Sequence, residues 1–146
     1  FFRTVENVSG QDLGWFWRAF FYGTDVLDIA VDGVTMRQAA GENVVEVHLR
    51  RATTIPFPVT MRLKLDDRST TDIRLPVEIW TRTDRYVATI PVKRAVVGVR
   101  LWTDPSVPDV NAANDVWGDA PLADTPAGSA AGAATPPVRP PGQQNP

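Results

Sequence analysis

Between residues 25 and 103, apolar and polar side chains alternate with period two, the spacing of strands with one buried face and one wet face. Leu27, Ile29 and Val31 alternate with Asp28, Ala30 and Asp32. Val45, Val47 and Leu49 alternate with Glu46, His48 and Arg50. Val59, Met61, Leu63 and Leu65 alternate with Thr60, Arg62 and Lys64. Ile73, Leu75, Val77 and Ile79 alternate with Arg74, Pro76, Glu78 and Trp80. Tyr86, Ala88, Ile90 and Val92 form a fifth apolar row. Val97, Val99 and Leu101 form a sixth, against Gly98, Arg100 and Trp102. Asp66-Asp67-Arg68-Ser69 and Thr83-Asp84 sit where hairpin turns belong. Six short strands of this kind predict an antiparallel sandwich. Pro76 and Pro91 point to edge strands or bulges, because proline has no N–H for the ladder.

The two ends read differently. Of the 13 aromatic residues, eight lie within the first 22: Phe1, Phe2, Trp15, Phe16, Trp17, Phe20, Phe21 and Tyr22. Ser9, with Asp12 three residues on, predicts the start of a helix, and Gly23 its end. At about 100° per residue, the aromatics of that helix point nearly all the way round it. A helix that is apolar all round is buried on every side. One small domain covers one side, so a body outside this sequence is expected on the other. Residues 119–146 contain seven Pro, seven Ala and three Gly, with Leu122 and Val138 as the sizeable apolar residues. That composition predicts a disordered tail, partly polyproline-like around Pro136, Pro137, Pro140 and Pro141.

The length of 146 residues fits one domain. Lys and Arg number 15 against 17 Asp and Glu, a net charge of −2, without the basic excess of a nucleic-acid binder. No apolar run reaches the ~18–20 residues of a membrane span. The chain has no cysteine and one histidine, His48. Disulfides, thiolate metal sites, cysteine nucleophiles and two-histidine zinc sites are thereby excluded from it. His48 falls on the polar face of its strand with no local nucleophile signature, which reads as a sheet-surface histidine. Arg50, Arg62, Lys64, Arg74, Arg82 and Arg100 form a cationic row that reads as a solvated face and could serve as an anion patch. The oxygen-rich run from Asp104 through Asp109, Asn111, Asn114 and Asp115 breaks the alternation of a calcium loop at Ala113 and lacks its glycine, so Asx turns are expected there. The first residue is Phe1 rather than Met, so the chain is expected to be processed or cut from something longer, and the absence of a visible signal peptide then says nothing about export.

Two blocks carry a family resemblance. The first is Glu6-Asn7-Val8-Ser9-Gly10-Gln11-Asp12-Leu13-Gly14-Trp15-Phe16-Trp17. The second is Asp104-Pro105, then Pro108-Asp109-Val110-Asn111 and Asn114-Asp115-Val116-Trp117. The chain resembles the C-terminal portion of zinc metallopeptidases of the aminopeptidase N type (gluzincins, peptidase family M-one). The first block is similar to that family's "E-x-x-S-G-x-D-L-x-W-F-F" helix, late in the catalytic domain. The second is similar to the "D-P…D-x-N…N-N-x-W" ending of the β-sandwich that follows. The two bracket residues 1–118. Where family members often carry a Trp and then Gly-x-Pro, this chain has Phe20, Phe21 and then Gly23-Thr24-Asp25-Val26.

The resemblance implies a mainly β chain. Residues 1–23 would be the end of a helical catalytic domain, an aromatic-rich α-helix. Residues 24–118 would be an immunoglobulin-like antiparallel β-sandwich, and 119–146 the disordered C-terminal tail. It implies no catalytic, cofactor-binding or metal-binding residue here. The zinc of the parent enzyme, its H-E-x-x-H and its general-base glutamate would lie upstream. Trp15, Phe16, Trp17, Phe20 and Phe21 would be the domain interface. The expected partner is the upstream catalytic domain of the same chain, with a peptide substrate for the parent, no nucleic acid and no membrane span. An exported or periplasmic location is expected over a cytoplasmic one. The rival expectation is a non-enzymatic β-sandwich adhesion or binding module.

Overall fold

Period-two patterning becomes strand only where partners exist to complete the ladder. In the computed structural model, which describes residues 1–39, 42–102, 104 and 106–120, seven strands do so. They are β1 (Ile29–Ala39), β2 (Glu42–Arg51), β3 (Val59–Leu65), β4 (Thr70–Leu75), β5 (Arg85–Val92), β6 (Val96–Leu101) and β7 (Val116–Gly118). Every pairing is antiparallel. One sheet runs β1-β2-β5 and the other β4-β3-β6-β7. The chain is therefore mainly β, preceded by helices α1 (Phe2–Ser9) and α2 (Gly14–Phe20).

The inward rows of both sheets meet in one hydrophobic cluster. Val45, Val47 and Leu49 of β2 share it with Val59, Met61 and Leu63 of β3 and with Val99 and Leu101 of β6. Each such side chain, fully covered, contributes about 1.5–3 kcal/mol. The Asp66–Ser69 turn forms as expected: Leu65 N–H donates to Ser69 O at 2.9 Å, and Asp67 Oδ1 accepts Ser69 N–H at 3.0 Å. Pro91 lies in β5 and Pro76 directly follows β4, and both strands are sheet edges.

Several expectations are corrected. The first strand does not stop near Asp32: its register shifts between Val31 and Gly33, and Val34 and Met36 then oppose Val47 and Val45. A bulge adds one residue and so moves the inward parity by one. A second shift, opposite Lys64 and Leu65, turns Val96 inward in place of Val97. Val77–Trp80 is a 3-10 helix rather than strand. Pro76 stands at its N-cap, and Trp80, expected on the polar face, is buried with its indole N–H donating to Phe57 O at 2.8 Å. Thr83-Asp84 is not a hairpin turn, because the flanking strands β4 and β5 belong to different sheets. Trp102, also expected outward, takes a left-handed backbone (φ 56) and turns into the core. β7 is an element that the alternation did not announce.

The N-terminal helix is corrected too. Ser9 does not start a helix; it is the last residue of α1, which Gly10 closes with φ 66 and an N–H donated to Glu6 O at 2.9 Å. The second helix begins at Gly14, whose N–H donates to Asp12 Oδ1 at 3.0 Å, and it ends at Phe20, ahead of Gly23. The first residue of the expected tail pairs with the second sheet. Asp119 N–H donates to Val97 O at 2.9 Å, and its carboxylate holds Lys64 Nζ at 2.6 Å. The remainder of the expected disordered tail, 121–146, lies outside the described residues.

Candidate functional site

The five aromatics expected at an interface are brought together, and the two helices divide them. On α2, Trp15 and Phe20 face the sheets through Phe57, with ring centroids 5.9 and 6.1 Å away. Phe57 in turn meets Trp102 edge-on at 5.8 Å. Trp17 faces the other way and is buried under α1: its ring lies 4.6 Å from Phe2, and its Nε1 donates to Glu6 Oε1 at 3.1 Å. Phe16 bridges the two sides, 5.0 Å from Phe20 and 5.1 Å from Trp17. Part of the covering body expected from outside is thus α1 of this same chain. Sequence reasoning missed α1, although Phe2, Val5 and Glu6 at i, i+3 and i+4 place a half-buried stripe on one face.

The cluster ends on open rings. Phe21, next to Phe2 and Trp17, is 57% exposed; Tyr22 is 72% exposed and Phe1 85%. Val8 and Val26 are exposed as well. Each large aromatic ring brings 150–250 Å² of surface when covered, roughly. These three leave on the order of 400 Å² open, the size of the largest apolar patch on a typical monomer, which is often functional.

The remaining candidates are dispersed. His48 is half-buried between Gly33 and Val87 on the outer face of the first sheet. Its Nε2 lies 3.4 Å from Thr35 Oγ1, and among the described residues no carboxylate bonds its ring. The cationic row is not one face. Arg50 belongs to the first sheet and is held by Asp32 at 2.9 Å. Arg62, Lys64, Arg74 and Arg100 belong to the second sheet, and Arg82 to the connection between sheets. Arg62 grips Asp72 with two bonds of 2.6 and 2.8 Å, which hold the Asp72 carboxyl below its ordinary range. At Arg50, Arg62 and Lys64 the cations thus stand beside acidic partners on the same strips.

The oxygen-rich run does make Asx turns. Asp104 Oδ1 accepts Ser106 N–H at 2.9 Å and Asp109 Oδ1 accepts Asn111 N–H at 3.0 Å. Its second half was not anticipated. Asp115 is 5% exposed and accepts the Trp102 indole N–H at 3.1 Å. Burial, then the charge of Asp109 and that of Asp28, push its carboxyl up to about 7, against the pull of the Trp102 N–H and Arg100. Sequence parity gave no signal for it, since Leu101 is the inward residue and Trp102 reaches the core only through its left-handed backbone.

Among the described residues, no group of three or more His, Asp or Glu side chains is placed to hold a metal ion. No helix among them is long and apolar enough to cross a membrane. No family model matches the chain, and no curated protein or solved structure matches it either.

Proposed function

We propose that this chain is a non-catalytic support module, an immunoglobulin-like β-sandwich attached to a neighbouring catalytic domain through its pair of aromatic helices. The observation that carries the reading is the group of open rings, Phe1, Phe21 and Tyr22, gathered around Phe2 at the helices. Covering on the order of 400 Å² of it at ~25 cal/mol per Å² amounts to about 10 kcal/mol of gross burial, before the costs of ordering and association. The immunoglobulin-like assignment draws on the division of seven strands into three and four, with β2 to β3, β4 to β5 and β5 to β6 each passing between sheets.

The catalytic neighbour that fits is a zinc metallopeptidase of the aminopeptidase type. The support is the resemblance of the Glu6–Trp17 and Asp104–Trp117 blocks to that family. In such a parent the zinc, its H-E-x-x-H and the peptide substrate belong to the upstream domain, and this module braces it.

Two measurements test the reading. Purified alone, the chain should self-associate at high concentration and bind an apolar dye, and a Phe21→Ser, Tyr22→Ser double variant should do neither while keeping its melting temperature. A monodisperse monomer with no dye binding would remove the case for a covered face. Reading the coding sequence upstream of Phe1 tests the parent: an H-E-x-x-H within a few hundred codons is expected, and another sandwich directly upstream would overturn the peptidase assignment.

A further inference from the structure

Residues 106–118 close the seam between β1, at the edge of one sheet, and β6 in the other. Val31 N–H donates to Asn114 O at 2.9 Å, and Leu101 N–H donates to Asp115 O at 2.8 Å. Val110 N–H donates to Leu27 O at 3.0 Å, and Ile29 N–H donates to Asp109 Oδ2 at 3.0 Å.

Inside this seam, among the described residues, acceptors outnumber donors. Trp102 Nε1 stands 3.1 Å from Asp109 Oδ2 and 3.1 Å from Asp115 Oδ1, and it has one hydrogen to give. Asp109 Oδ2 has a second donor in Ile29 N–H; among the described residues Asp115 Oδ1 has the indole alone. Beside it, Asn114 gives its amide hydrogen to Asp28 Oδ1 at 2.8 Å and leaves its own Oδ1 buried without a donor. Among the described residues, the charged groups acting on Asp115 are Asp109 from its own loop, Asp28 from the lead-in to β1, and Arg100 from β6. Three carboxylates thus stand against one guanidinium, around a buried oxygen pair that shares a single hydrogen. Two ionised carboxylates so placed repel, and the one with less solvent holds a proton more readily.

We infer that residues 106–118 form a proton-operated latch: a proton on Asp115 supplies the donor that the seam lacks and holds the two sheets together there, and its departure to solvent loosens the seam. Because burial and the neighbouring carboxylates set Asp115 near neutrality, the latch works in the neutral range. The folded carboxyl lies above its ordinary value of 3.8, so its contribution is fully present below that value and is lost as pH rises through about 7. Between the two, each pH unit lowers the folding constant by up to tenfold.

The test uses the full chain with His48→Gln, so that the single imidazole adds nothing to the profile. Urea midpoints are measured from pH 4.5 to 8.5 with and without Asp115→Asn, which mimics the protonated side chain. The chain that keeps Asp115 should lose stability across pH 5–8. The Asp115→Asn variant should be flat there and the more stable of the two at pH 8. Parallel profiles would overturn the latch. Should Asp115→Asn fail to fold, carboxyl carbon NMR of the His48→Gln chain decides. One aspartate titrating near neutrality, moved to lower pH by Asp109→Asn, supports the latch; no carboxyl titrating above pH 6 refutes it.

Discussion

Phe57 is the ring on which the helices rest, and Phe57→Ala measures how much they depend on it. Its edge-to-face contacts are three: Trp15 and Phe20 of α2 at 5.9 and 6.1 Å, and Trp102 of the core at 5.8 Å. Such contacts are worth about 0.5–1.5 kcal/mol each beyond area burial, so three supply about 1.5–4.5 kcal/mol. Truncating a buried Phe to Ala costs about 3–5 kcal/mol in total. Phe57 is only half-buried, so the lower end applies, about 3 kcal/mol, which for a domain of this size lowers the melting temperature by roughly 10 °C. The loss is uneven, since two of the three ring contacts belong to α2. Hydrogen–deuterium exchange should show the amides that close the helices losing protection, among them Gly10 N–H to Glu6 O and Phe21 N–H to Trp17 O. The ladders of β2, β3 and β6 should keep theirs, because their inward rows lie in a cluster that Phe57 only borders. Phe57→Leu, which refills most of the volume, should fall between wild type and Ala. Helix protection unchanged in Phe57→Ala, with sheet protection reduced instead, would refute the idea that this ring seats the helices.

Three further outcomes follow from the same geometry. Gly98→Ala should destabilise by about 1–3 kcal/mol, because a Cβ there would collide with Asp119 O and force the strip after β7 off β6; a urea midpoint equal to wild type would show that the strip yields freely. The purified chain, dialysed and assayed, should hold no stoichiometric zinc and release no amine from aminopeptidase substrates, since its one imidazole belongs to no group of three or more ligating side chains among the described residues; turnover lost on His48→Ala would overturn this. Asp25, Asp67, Asp72 and Asp104 are held below their ordinary value by bonds from Thr54, Ser69, Arg62 and Ser106, in that order, so each stabilises above pH 3.8 and is lost as pH falls further; an acid limb below about pH 4, steeper in wild type than in Asp72→Asn, is the expected profile.

What could be read in advance was whatever depends on parity alone. The rows of β3 and β5, and of β2 from Val45 on, alternate without a break, and their inward residues are the ones that sequence parity marks. Parity fails after a bulge, and a bulge is decided by which residue is left over when two distant segments pair, as at Val31/Gly33 and opposite Lys64/Leu65. The turn at Thr83-Asp84 was legible as a turn but not as a crossing between sheets, because turn chemistry is local and sheet membership is not. The aromatic surplus near the N-terminus called for cover on a second side. Its first supplier, α1, was hidden because about two turns of helix carry too few apolar residues for periodicity to register. The Trp102–Asp109–Asp115 cluster was the least legible: it exists only when a loop returns across the end of β6.

That cluster and the helical pair meet at one point. Trp102 donates its indole N–H to the seam carboxylates and presents its ring to Phe57, whose other contacts are Trp15 and Phe20. Among the described residues the helices make no backbone bonds to either sheet, so their seat rests on side-chain packing around this ring, and such a part opens at lower cost than the sheet core. A body that covers Phe1, Phe21 and Tyr22 binds the seated helices and not the opened ones. Its free energy therefore adds to helix protection in full, by linkage, and reaches the sheets only through Phe57 and Trp102. In the proposed role of a support module, the sheets would keep their own core, and the joint to a neighbour would be made firm only when that neighbour is present.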